Sequence, residues 1–186
     1  MNNLLLHSCC APCSSAIIEW MLANDYRPTI FYCNPNIYPE QEYLIRKNEI
    51  TRYAHKFGLT IIDDDYDHQS WLCHVKGLEH EPERGGRCLE CFKLRLLRTA
   101  RKCKELNLTT FTTTLASSRW KSLDQINQAG TWAASQVEGT TFWERNWRKG
   151  GLQERRNQLL RENNFYNQLY CGCEFSINKK DNYDNR

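Results

Sequence analysis

The stretch His7-Ser8-Cys9-Cys10-Ala11-Pro12-Cys13 constrains this chain more than any other. Three thiols and an imidazole follow directly on the apolar run Leu4-Leu5-Leu6 and precede a pattern that reads as an amphipathic helix from Ser14. A short buried strand that turns into a helix delivers its last residues to the carboxyl edge of a sheet, where open α/β folds bind ligands. Adjacent cysteines cannot both be buried on one face of a strand, because successive side chains point oppositely. Packing alone therefore does not explain the pair.

The rest of the chain repeats the strand-then-helix pattern. Strands are predicted at 4–7, 29–32, 59–62, 111–115 and, shorter, 141–143; helices at 14–23, 39–57, 68–75, 88–106, 122–135 and 152–162. Such alternation predicts a mostly parallel sheet of four to five strands with helices on both faces, a single Rossmann-like α/β domain. Its expected extent is 1–177, with a polar tail over 178–186 expected to be disordered. The Cys9/Cys10 turn, Asn34-Pro35-Asn36, Asp63-Asp64-Asp65 and Ala116-Ser117-Ser118 each follow a strand, so all four are expected at one sheet edge. No apolar run is long enough to span a membrane, and Met1-Asn2-Asn3 lacks the charged start of a signal peptide; a cytoplasmic location is expected.

Ten cysteines among 186 residues set the chemistry. In a reducing compartment, paired cysteines more often bind metal or do redox work than staple a fold. Seven fall into three groups, Cys9/Cys10/Cys13, Cys88/Cys91 and Cys171/Cys173. Cys103 lies on the apolar stripe of a helix and reads as a buried thiol. Cys88-x-x-Cys91 starts a helix, where the dipole favours thiolates. With Cys9 and Cys10 it offers four soft ligands, enough for zinc or an iron–sulfur cluster. The directly adjacent pair fits the two-pair zinc spacing poorly and favours the cluster. Cys10-Ala11-Pro12-Cys13 also has the form of a thiol–disulfide oxidoreductase motif, although Cys9 has no use in it. Cys171-Gly172-Cys173 reads either as a strained, reducible disulfide or as two further metal ligands.

Basic residues cluster beside these thiols. Eight (Arg84, Arg87, Lys93, Arg95, Arg98, Arg101, Lys102, Lys104) stand against Glu90 alone. A second group, Arg145, Arg148, Lys149, Arg155, Arg156 and Arg161, is interleaved with Trp143 and Trp147. Either could be a solvated helix face; together they point towards RNA. No phosphate-cradling glycine loop is present.

Taken in order, Leu5-Leu6-His7-Ser8-Cys9-Cys10-Ala11-Pro12-Cys13, Tyr32-Cys33-Asn34-Pro35-Asn36-Ile37, Glu79 to Phe92, Thr112-Thr113-Thr114-Leu115 and Tyr170-Cys171-Gly172-Cys173 resemble the cobalamin-independent epoxyqueuosine reductases, the QueH family. The resemblance runs from Leu4 to about Ser176. It implies reduction of the epoxide of epoxyqueuosine at the tRNA wobble position, giving queuosine. It implies a 4Fe–4S cluster on Cys9, Cys10, Cys88 and Cys91, a redox-active disulfide of Cys171 and Cys173, and an additional iron ion whose ligands it does not assign. The implied partners are the tRNA anticodon stem-loop bearing epoxyqueuosine and an electron donor that the resemblance does not name. Arg145-Asn146-Trp147-Arg148-Lys149-Gly150-Gly151 departs from the family, replacing a segment that begins Asp-Phe. His7, Asp63, Asp64 and Asp65 are candidate proton donors by expected location only, and a lone histidine after a strand is more often a satisfied structural residue. The alternatives are a structural-zinc tRNA-binding domain and an oxidoreductase using Cys10/Cys13.

Overall fold

The computed structural model describes residues 2–179. Of the expected polar tail, 178–186, the first two residues close a 3₁₀ segment, Glu174–Lys179, and the rest lies outside the described residues. Five strands form one all-parallel sheet in the order β3-β2-β1-β4-β5: β1 Asn2–His7, β2 Tyr26–Tyr32, β3 Ile61–Asp63, β4 Thr110–Thr113 and β5 Thr141–Phe142. Six α-helices join and cover them: α1 Ala11–Ala23, α2 Glu40–Lys56, α3 His68–His74, α4 Gly86–Glu105, α5 Leu123–Ser135 and α6 Leu152–Glu162. Helix α1 packs on α2 and α6, and α4 packs on α3 and α5, so both sheet faces are covered. That is why Leu4, Leu5 and Leu6 form a continuous buried run instead of an alternating one. Each such leucine contributes about 1.5–3 kcal/mol relative to an exposed one.

Several boundaries differ from the predicted ones. Strand β2 starts at Tyr26 and runs through Pro28. The Ile30 amide faces β3, so the Pro28 nitrogen two residues earlier points the same way, before β3 begins to pair at Ile61. Helix α1 begins at Ala11 rather than Ser14, because Pro12 fits a first helical turn, where an N–H would go unpaired anyway. Cys10 thereby becomes the extended capping residue of α1, and Cys13 lies in its first turn. Strand β4 ends at Thr113, where the Thr113 hydroxyl accepts from the Leu115 amide and starts a 3₁₀ turn, Thr114–Ser117. Helix α5 comes so close to β5 that a Cβ on Gly130 would lie 2.3 Å from the Phe142 ring.

The chain leaves β1 towards β2 on one side and reaches β4 on the other. The crevice between the carboxyl ends of β1 and β4 is therefore the topological switch point, the expected ligand site of such a sheet.

Candidate functional site

The switch point is braced by buried hydrogen bonds. His7 is fully buried; its Nε2–H donates to the Cys33 carbonyl (3.0 Å) and its Nδ1 accepts from the Thr113 hydroxyl (2.7 Å). Burial, with the nearby Arg95 charge, lowers its pKa to about 3. His7 is thus a neutral brace between β1, β2 and β4, the structural role that a lone histidine after a strand more often has. The Ser8 carbonyl accepts from Asn34 Nδ2 (2.9 Å), and the Cys9 amide donates to Thr114 Oγ1 (3.2 Å).

Among the described residues, the sulfurs of Cys9, Cys10 and Cys13 lie within 4.8 Å of one another. Cys9 Sγ is 3.8 Å from Cys10 Sγ and 3.4 Å from Thr114 Oγ1. Thiol hydrogen bonds from Cys10 and Cys13 hold the Cys9 thiol well below its ordinary value, while burial pushes Cys10 up. Cys88 and Cys91 are one turn apart at the start of α4, on one helix face. They stand outside that close trio, so the structure groups Cys9 and Cys10 with Cys13 more tightly than with the α4 pair.

A cavity of about 1120 Å³ opens at this edge, and Cys9, Cys13, Cys88 and Cys171 all line it. Cys10, Cys91 and Cys173 do not. Cys91 and Cys173 pack instead with Trp71 and Val75 just behind the wall. Every cysteine of the described residues is a free thiol, including Cys171 and Cys173. Burial raises Cys88 to about 11 and Cys173 to about 12.

Two cations stand among the thiols. Arg95, 2% exposed, donates to the Cys33 carbonyl (3.2 Å) and Asn34 Oδ1, with Nη1 3.9 Å from Cys91 Sγ. Burial disfavours its charge, but Cys91 and Cys9 outweigh that and raise its pKa. Lys121 behaves alike: burial opposes its charge, and Cys171, Cys9 and Cys13 raise it. Lys121 and Arg46 escape a motif reading. The readable signals are Lys121's place just after the β4 end and Arg46's spacing of four from Glu42.

Cys171 and Cys173 sit on a strap, residues 166–177. Arg46 holds it by donating to the Tyr170 and Cys171 carbonyls (both 3.3 Å), and the Tyr38 amide donates to the Gly172 carbonyl (2.8 Å). Gly172 has φ +122, and a Cβ there would meet Arg46 and Ile37 at 3.2 Å.

The other expected residues fall elsewhere. Asp63 is part of β3, bonded to Tyr43 and Lys47; Asp64 pairs with Arg98 (3.1 Å) and accepts from the Cys33 thiol; Asp65 is exposed. None lines the cavity. Cys103 is fully buried, as expected. Part of the α4 basic cluster is used within the protein. Arg87 and Arg95 are buried, Arg98 pairs with Asp64 and Asp67, and Lys102 pairs with Glu105. In the second cluster Arg145 lies 3.7 Å over the Trp20 ring and 4.8 Å from that of Trp147, and Arg155 pairs with Glu19 and Glu162. Each cluster is thus only partly free: Arg84 of the first and Arg156 of the second line the cavity, while Arg101, Lys104, Lys149 and Arg161 stay exposed. The cations that do reach the cavity wall include Arg84, Arg119, Lys121 and Arg156.

Fold and site together define the class: a Rossmann-like α/β domain with a cavity at its switch point walled by cysteines and buried cations. The family model "Epoxyqueuosine reductase QueH" matches residues 4–179. The chain is 47% identical over 176 residues to the "Epoxyqueuosine reductase QueH" of Histophilus somni (strain 129Pt), covering 95% of this chain and 72% of that one. It is 45% identical over 176 residues to that of Acinetobacter baylyi (95% and 81% covered). It is 32% identical over 180 residues to that of Thermotoga maritima (95% and 91% covered). The chain belongs to the QueH family. No helix among the described residues is long and apolar enough to cross a membrane.

Proposed function

We propose that this chain reduces the epoxide of epoxyqueuosine at the wobble position of tRNA, giving queuosine. The observation that carries the reading is the convergence of all three cysteine groups at one switch-point cavity, four of whose wall residues are Cys9, Cys13, Cys88 and Cys171. The chemistry is balanced by two electrons and two protons: both C–O bonds of the epoxide break, an alkene forms and the oxygen leaves as water.

The residues fit a 4Fe–4S cluster. The donors are soft thiols gathered at two helix starts, and Arg95, beside Cys91 and Cys9, would offset thiolate charge there. Cys9, Cys10, Cys88 and Cys91 would hold it. Bound there, a cluster supplies single electrons at low potential. An additional iron belongs to the same proposal without assigned ligands. The chain itself shapes the pocket, keeps carboxylates other than Glu83 off its wall, and presents Lys121 as a fixed positive charge beside the reacting site. Cys171 and Cys173, on the strap at the wall, pass electrons from an external donor as a dithiol/disulfide pair. A tRNA substrate places the reaction in the cytoplasm.

Anaerobic purification followed by iron and sulfide analysis, and mass spectrometry of digested tRNA after reduction, tests this. A brown protein that converts epoxyqueuosine to queuosine is expected; a colourless, inactive one would refute it. The 3.8 Å Cys9–Cys10 separation also suits two thiolates on one zinc ion, whose Zn–S bonds are about 2.3 Å, so zinc is measured alongside.

A further inference from the structure

We infer that Trp120 is a stacking platform at the cavity mouth, taking an unstacked base of the tRNA anticodon loop next to the nucleotide that enters the cavity. The inference rests on the activity proposed above and adds a residue that sets how the RNA is held.

Trp120 is 79% exposed, the most exposed large hydrophobic side chain among the described residues, yet its backbone is pinned. Arg84 Nε donates to the Trp120 carbonyl (3.0 Å) and Arg84 Nη2 to the Arg119 carbonyl (2.7 Å). Arg148 Nη2 donates to the Lys121 carbonyl (2.8 Å), and Gln153 Nε2 to that of Ser117 (3.0 Å). Four side-chain hydrogen bonds thus fix residues 117–121, a segment with little apolar cover. An indole held out into water is costly in solvation unless something covers it.

The surroundings favour RNA as the cover. Trp120 lines the same cavity as the thiols, flanked by Arg84, Arg119, Lys121 and Arg156, with Glu83 the one carboxylate on that wall. Among the described residues the Arg119 guanidinium makes no hydrogen bond or ion pair. The volume, about 1120 Å³, accommodates a modified nucleotide. An enzyme that takes one base out of a loop leaves its neighbours unstacked, and an aromatic face at the entrance compensates that loss. The cations beside it meet the flanking phosphates. A base inside the cavity would be enclosed, so the solvent-facing indole serves a base that stays outside.

The test measures anticodon stem-loop affinity and steady-state kinetics with a small chemical reductant, which removes any protein donor from the assay. Trp120→Ala should weaken binding and raise KM about 5- to 150-fold, the range of one base–aromatic stack. It should change kcat little and leave the salt slope unchanged; Trp120→Phe should restore most of the loss. Arg119→Ala should instead lower the salt slope by about one. Unchanged RNA affinity in Trp120→Ala would overturn the inference. So would a loss seen only with a protein donor, which would make Trp120 a protein-docking residue. If the unaltered chain fails to bind the RNA, the activity proposal falls too; if it binds and Trp120→Ala matches it, the stacking inference falls alone.

Discussion

The two walls of the cavity are built to different standards. The wall formed by β1, the start of α1 and the end of β4 is tied by bonds among buried groups: His7 to Thr113 and Cys33, Cys9 to Thr114, Asn34 to Ser8, and Arg95 to Asn34. The other wall, the strap carrying Cys171 and Cys173, has no helix or strand before its closing 3₁₀ segment; Arg46 and the Tyr38 amide hold its carbonyls, Tyr166 bonds to Glu42 and Glu49, and Glu174 faces His68. Sulfurs on the first wall sit on backbone tied by several buried hydrogen bonds; on the second, Cys171 stands half-buried at the cavity wall and Cys173 is buried just behind it. Fixed sulfurs suit ligands and movable ones suit a dithiol that must meet two partners in turn. The contrast is open to attack by substitution.

The largest effect separates the walls outright. Cys9→Ser or Cys10→Ser should leave little iron per chain, because serine is a poor soft-metal ligand. Cys171→Ser should keep full iron and RNA binding and lose turnover with a dithiol-dependent donor, recovering part of it with a strong chemical reductant. Iron lost in Cys171→Ser would place the strap thiols among the ligands and erase the distinction.

Arg95→Met comes next. It leaves Asn34 Oδ1 buried without that donor, a cost of about 1–3 kcal/mol that a urea midpoint will read. It also removes the charge that offsets Cys91 and Cys9, so iron loading should fall as well. Unchanged loading would mean that Arg95 serves only the fold.

Gly172→Ala attacks the strap alone. At φ +122 an alanine is strained, about 1–3 kcal/mol, and its Cβ would crowd Arg46 and Ile37. Turnover should drop at least several-fold while iron per chain holds. A parallel loss of iron would show the strap to be part of the rigid wall.

The scaffold was legible in the sequence because it follows from periodicity. Unbroken apolar strands and striped helices leave few alternatives, and the parallel sheet follows. The boundaries that mattered chemically were less legible. Pro12 starts α1 at Ala11, three residues before the predicted Ser14, and so puts Cys13 in a helical turn beside Cys9. The site was legible as thiols but not as charges. Composition cannot tell a solvated arginine from Arg95 or Arg87, both buried, nor show that Arg145 is spent on the Trp20 ring. The acidic triplet lies off the cavity wall for a related reason: β3 runs on to Asp63, whose partners Tyr43 and Lys47 lie on α2.

The smallest expected effect probes how the strap is latched. Glu174, just past Cys173, faces His68 Nε2 at 3.1 Å, while His68 Nδ1 donates to the Pro35 carbonyl (2.7 Å). The pair is half-exposed on the Glu174 side, so screening keeps its worth within about 0–1 kcal/mol. Glu174→Gln removes the charge and keeps the shape. Hydrogen exchange at 170–176 should then quicken by no more than about 5-fold, while the amides of β1 stay as protected as before, because a latched strap opens locally without the core. Equal acceleration in β1 would mean that the strap opens only when the whole domain unfolds. The contrast between a fixed wall and a movable one would then fail at its mechanical root, whatever the cysteine substitutions show.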